Sequence, residues 1–105
     1  MITRLANNMA FTVVALYKFI PINDLIKTRG AVNKLCDSWS IYGGLIFASE
    51  GINGTIAGST ENIPEFIKNL IQVIPLDDHE MKFSKCDKNP FYRMVITIIV
   101  FIEYT

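Results

Sequence analysis

The dipeptide Asn53-Gly54 stands between two short apolar runs, Gly44-Leu45-Ile46-Phe47-Ala48 and Thr55-Ile56-Ala57-Gly58. Asparagine followed by glycine is the strongest short-range signal for a tight reversal between strands, because both residues tolerate a positive φ. Glu50, Gly51, Asn53, Gly54 and Thr55 are therefore read as the turn of a hairpin, with Gly51 as a second permissive position. A glycine-rich tip lets another backbone or a ligand approach closely. Its successive N–H groups can also form a concavity for an anion, beside the Glu50 carboxylate. The alternative is that Glu50 and Asn53 only hold the turn together by local hydrogen bonds. The pattern leaves both readings open.

The segments on either side fall into place around this reversal. Phe11 to Phe19 is a nearly continuous apolar run rich in β-formers, read as a central strand covered on both faces and ended by Pro21. Asn23 or Asp24 caps the helix that follows. On that helix Leu25, Thr28, Val32, Leu35, Cys36 and Trp39 share one face. Gly30 costs it about 1 kcal/mol relative to alanine and is read as permitting close approach to the sheet.

Ser59, Thr60 or Asn62 starts a second helix; Pro64 fits only in a first turn, so Asn62 is the preferred cap, with Glu65 completing a capping box. Ile63, Phe66, Ile67, Leu70, Ile71 and Ile74 form its apolar stripe, and Pro75 stops it. Met81 to Cys86 alternates as a half-exposed strand, and Asp87-Lys88-Asn89-Pro90 is a turn. From Phe91 the chain is again strand-like, ending in a long apolar run to Tyr104.

This order predicts an α+β fold, a ferredoxin-like βαββαβ sandwich. Two helices lie on one face of an antiparallel sheet, with an extra C-terminal strand. Residues 1–10 are read as a leader and 11–105 as a single domain. Met9 offers an alternative start.

Half of the residues are apolar and 19% are charged, so the chain folds around a core. Ten basic and ten acidic residues give a net charge of zero, and binding to nucleic acid therefore needs a local patch. No apolar run reaches the ~20 residues of a membrane-spanning helix, and no small-residue cleavage site follows Met9 to Leu16. The expected location is the cytoplasm, with no membrane partner. Cys36 and Cys86 form neither a CxxC pair nor a metal-ligand spacing and are read as free thiols. His79 lies among Asp77, Asp78 and Glu80, which is read as a solvated loop, with no metal and no cofactor.

Three stretches carry a resemblance to a known family: Leu16-Tyr17-Lys18-Phe19, the ten residues from Glu50 to Ser59, and Pro90-Phe91-Tyr92-Arg93-Met94. In order and spacing they resemble the N-terminal domain of the bacterial rhodanese-related hydroxylases of the tRNA wobble uridine, over about residues 11–94. The resemblance implies an acylphosphatase-like, ferredoxin-like module that precedes a rhodanese domain. It also implies oxygen-dependent hydroxylation of uridine at C5, in an oxidoreductase family whose essential cysteine lies on the rhodanese domain. Neither Cys36 nor Cys86 inherits that role. Where the family has a strand rich in Lys and Arg, this chain reads Val95-Ile96-Thr97-Ile98-Ile99-Val100-Phe101-Ile102.

The resemblance therefore implies a tRNA-modification accessory domain without catalytic residues of its own. It would help to bind tRNA or brace a rhodanese domain missing from the chain, as in a truncated or frame-shifted gene product. Lys18, Lys82, Lys85 and Arg93 are the candidate phosphate contacts, and Phe91 and Tyr92 the candidate stacking rings. Core packing is the other reading of the two rings. An interaction module or gene remnant is the alternative function. A small acylphosphatase is a further one, although Ile20-Pro21-Ile22-Asn23-Asp24 offers no arginine or glycine for a phosphate. The uncharged run Met94 to Ile102 predicts a homodimer through the C-terminal apolar strand.

Overall fold

The computed structural model describes residues 10–100. Most of the expected leader and the apolar run beyond Val100 lie outside the described residues. Strand β1 (Phe11–Phe19) leads through Asp24 into helix α1 (Leu25–Ser38). The Asp24 carboxylate accepts the Lys27 N–H at 3.0 Å, and thus supplies the cap. Strands β2 (Tyr42–Ala48) and β3 (Gly51–Ser59) form a hairpin, followed by α2 (Asn62–Val73). A 3₁₀ turn (Asp78–Glu80), β4 (Met81–Cys86) and β5 (Met94–Ile98) complete the chain. The sheet order is β4-β1-β3-β2-β5. The three antiparallel pairings of the βαββαβ unit are supplemented at the edge by β5, which runs parallel to β2 and makes the sheet mixed.

Both helices cover one face. Val14, Leu16, Leu45, Phe47 and Ile56 from the sheet meet Val32 and Cys36 of α1 and Phe66 and Leu70 of α2 in a single buried cluster. Met94, Ile96 and Ile98 of β5 pack against its margin. Among the described residues nothing covers the other face of the sheet, which is here called the bare face. Tyr17 is 52% exposed and Phe19 83% exposed, so β1 is central in the sheet but covered on one face only. The continuous apolar run concealed a period of two, in which Val14 and Leu16 turn inward while Tyr17 and Phe19 face solvent.

The hairpin reverses at Ser49-Glu50, not at Asn53-Gly54. Ala48 pairs with Gly51 across a two-residue loop, and Asn53 and Gly54 lie within β3. This register puts Ile52 into the core and allows β3 to pair with β1 along its whole length, from Phe19–Gly51 to Phe11–Ser59. A turn four residues later would give up both. The two glycines serve a different purpose from the one expected. Gly51 and Gly54 take φ values of 155° and 153°, which L side chains rarely adopt. A Cβ at Gly51 would collide with the Lys18 carbonyl oxygen, and one at Gly54 with that of Gly44. They allow close approach of neighbouring strands.

Two smaller expectations are also corrected. Gly30 is exposed, and a Cβ there would meet nothing, so it brings no helix nearer the sheet. Asn62 does not cap α2 with its side chain, which donates instead to the Trp39 carbonyl at 3.0 Å and ties the end of α1 to α2. Ser59 Oγ accepts the Asn62 N–H at 3.1 Å, satisfying a donor at the helix start.

The glycine argument predicts that Gly54→Ala destabilises the protein by more than ~1 kcal/mol, since both the backbone angle and the Gly44 carbonyl oppose a side chain. Gly30→Ala should instead stabilise it by a few tenths to ~1 kcal/mol. Denaturant midpoints of the two variants, moving in opposite directions, check this.

Candidate functional site

The motif from Glu50 to Ser59 enters the sheet as its middle strand, and its turn is held from the side by the β1–α1 loop. Ile20 N–H donates to the Glu50 carbonyl at 3.0 Å, and Ile22 N–H to that of Ser49 at 2.9 Å. The tip therefore meets the loop through carbonyl oxygens, and those two loop amides are not available to a phosphate. With Asp24 closing the first turn of α1, the β1–α1 loop presents poor chemistry for acylphosphate binding.

On the bare face, Tyr17, Phe19, Ile46, Asn53 and Ile99 border a shallow groove of about 210 Å³, with Glu50 at its mouth. The Tyr17 and Phe19 rings meet edge to face, 6.2 Å apart at 78°. The volume lies below the roughly 300–1,000 Å³ of small-molecule pockets, so the groove suits a docking protein surface better than a substrate. Glu50 and Asn53 were expected at a ligand-accessible tip, whereas Tyr17, Phe19, Ile46 and Ile99 were not read as site residues, although the aromatic pair at i, i+2 is a signal that marks the face.

The candidate cations do not form one patch. Lys82 and Lys85 are on β4 and Arg93 immediately precedes β5, at opposite edges of the sheet. Four strand spacings separate those edges, ~19 Å. Lys18 is engaged by Glu80 at 3.1 Å, with the two side chains 18% and 12% exposed. Lys85 Nζ donates to Thr12 Oγ1 at 3.1 Å. Lys82 is exposed. Of the two candidate rings, Phe91 is half-buried, its N–H donating to Asn89 Oδ1 at 3.0 Å. Tyr92 is 97% exposed, which rules out core packing for it.

Arg93 and Tyr92 do come together, in a second groove of about 630 Å³. Lys34 and Asp37 of α1 form its facing wall, and Ser40 and Tyr42 its floor. The backbone of both walls is pinned. Gly43 N–H donates to the Arg93 carbonyl at 2.9 Å. Helix α1 ends with Ile41 N–H on the Cys36 carbonyl at 2.8 Å and Ser40 N–H on that of Asp37, which puts Ser40 at φ 53°. Among the described residues Ser40 is the one non-glycine with positive φ.

Neither thiol is placed for nucleophilic chemistry. Burial pushes the Cys36 thiol up to about 12, which keeps it protonated and inert. Cys86 is half-buried, with its thiol 3.1 Å from the Lys88 carbonyl. Asp77, His79 and Glu80 bring ligand atoms within 4.8 Å of one another. Glu80 Oε1, however, already accepts from the Asp77 N–H at 2.8 Å and from Lys18 Nζ. The Asp77 N–H, and then the Lys18 ammonium, hold the Glu80 carboxyl below its ordinary value. This cluster therefore fastens the 3₁₀ turn to β1.

Two helices against one face of a 4-1-3-2-5 sheet define an acylphosphatase-like, ferredoxin-type α+β protein. Solved structures bear out this class. An acylphosphatase from Coxiella burnetii matches 87% of this chain and 95% of its own at TM-score 0.56 and 12% identity. Full-length HypF, in a phosphate- and nucleotide-bound form, matches 86% of this chain and 12% of its own at TM-score 0.59 and 16% identity. The BLUF protein BlrB matches 88% of this chain and 74% of its own at TM-score 0.56 and 17% identity. At these identities the likeness is one of fold.

The chain belongs to the family of the UPF0176 acylphosphatase like domain, whose sequence model matches residues 11–99. The tRNA uridine(34) hydroxylase of Brucella anthropi is 39% identical over 92 residues, and that of Brucella ovis 38%. Each match covers 88% of this chain but 30% of the relative. No helix among the described residues is long and apolar enough to cross a membrane.

Because the folded-state value of Glu80 is depressed, its contribution to stability is fully present above the ordinary carboxylate range. It is lost as the pH falls through the folded value. Glu80→Gln should therefore flatten the acid limb of the stability curve below about pH 5 and leave its slope near pH 7 unchanged. Thermal unfolding of both proteins across that range measures the difference.

Proposed function

We propose that this chain serves tRNA modification as the N-terminal accessory domain of wobble-uridine hydroxylation. It helps to hold tRNA and braces a catalytic rhodanese domain, and it does not hydroxylate uridine alone. The observation that carries this reading is the 39% identity to the tRNA uridine(34) hydroxylase of Brucella anthropi, sustained over 92 residues. The buried Cys36, held protonated, has no part in the chemistry on this reading. Fold by itself confers no chemistry, and the β1–α1 loop offers little to an acylphosphate. The reading places the protein in the cytoplasm, where its tRNA substrate is.

The bare sheet face gives the bracing role a physical basis. Tyr17, Phe19, Ile46, Val95 and Ile99 are all exposed there. A contiguous apolar patch of this kind marks an interaction surface. A rhodanese domain would bury it. A second copy of the chain is the other reading, favoured by β5, an edge strand with no charged residue.

Replacing the matching segment of the Brucella anthropi hydroxylase by residues 11–99 tests the main reading. The chimera should form 5-hydroxyuridine in the tRNA of a cell lacking its own enzyme, as read by mass spectrometry. The isolated chain should form none. For the surface, Ile99→Lys and Phe19→Lys should abolish self-association of the isolated chain in sedimentation at high concentration. A wild-type monomer under the same conditions rejects the homodimer and leaves the rhodanese domain as the occupant.

A further inference from the structure

We propose that the groove between α1 and the segment entering β5 binds a single-stranded RNA segment, with Lys34 and Arg93 contacting phosphates and Tyr92 stacking on a base. The choice of RNA rests on the tRNA reading above; the site itself rests on the following geometry. Arg93 and Lys34 come from separate segments and face one cavity of about 630 Å³. That size admits a nucleotide with its flanking phosphates. Two cations against the Asp37 carboxylate leave the lining net positive, in a chain whose overall charge is zero. Phosphates would lie toward Lys34 and Arg93, since Asp37 repels them.

Tyr92 distinguishes this groove from an ordinary charged surface. Its ring is 97% exposed, yet the backbone beside it is held by the Phe91–Asn89 and Gly43–Arg93 hydrogen bonds. A fixed aromatic face in water next to a guanidinium is what an unpaired base stacks on, and single-stranded RNA presents such bases where a helix does not. Tyr42, 38% exposed, is a second aromatic residue of the lining. Ser40 supplies a strained backbone at the base of the groove, held by the two hydrogen bonds that end α1. None of this was legible as one site, because its residues come from two stretches of chain far apart in sequence.

Anisotropy titrations of labelled oligouridine, across a salt series, test the site on the full chain. The Lys34→Glu, Arg93→Glu double variant should weaken binding at least about tenfold and reduce the salt slope by about 1.4, the value for two phosphates of a single strand. Tyr92→Ala should weaken binding about tenfold with the slope unchanged. Lys68→Glu, at an exposed position of α2 away from the groove, should alter neither. All four positions are exposed, and unchanged unfolding midpoints would confirm that the variants fold.

Three results would each overturn the site: no oligouridine binding by the wild type at low salt, an unchanged affinity for Tyr92→Ala, or equally tight binding of a polyglutamate peptide. The family reading is tested separately. A chimera that still hydroxylates tRNA fully with Tyr92→Ala and Arg93→Glu in place would remove the groove and leave the accessory role standing.

Discussion

The close passage of β3 between β1 and β2 is the contact on which the rest of the molecule depends. At Gly51 the backbone of β1 comes so near that a Cβ would strike a carbonyl, and at Gly54 the backbone of β2 does the same. These are two points on one strand, one against each neighbour, in the middle of a five-stranded sheet. Fixing them fixes the register on both sides. That register turns Ile52 and Ile56 toward the helices and Asn53 and Thr55 toward the bare face. It also brings the Ser49 and Glu50 carbonyls to the β1–α1 loop, which sets the start of α1.

Where a local period carried the information, the sequence was a good guide. The stripe from Ile63 to Leu70 is the buried side of α2, and Asp24 closes the first turn of α1 as its position suggested. The glycines misled for a physical reason. A glycine needed to turn the chain and a glycine needed to admit a neighbouring backbone look the same in one dimension, and only pairing partners distinguish them. Phe11 to Phe19 misled differently. With apolar residues on both faces, the alternation that separates core from surface disappeared, although Tyr17 and Phe19 belong outside. Of the candidate site, Tyr92 and Arg93 were visible as neighbours in sequence. Lys34 and Tyr42 join them only after α1 has been laid across the sheet.

The surface that results is divided by polarity. One side of the sheet presents aromatic and aliphatic side chains, suited to another folded surface. The end where α1 meets the approach to β5 presents charge and exposed rings, suited to a flexible polyanion. The linings of the two grooves have no residue in common. A domain docked on the apolar face would thus leave the polar groove open, and both could be occupied at once.

The parallel fifth strand has a consequence for the newborn chain. Strand β2 has emerged at Ala48, whereas β5 begins only at Met94. At synthesis rates of about 5–20 residues per second, the outer edge of β2 waits roughly 2–9 seconds for its partner. Helices and hairpins form in microseconds, so β1 to β4 can assemble well within that interval. During it, Tyr42–Ala48 is an uncharged strand with one side of its backbone unpaired. The ribosome-bound intermediate that lacks β5 is therefore the stage at which this sheet is most exposed to wrong pairing, and the arrival of β5 ends the exposure.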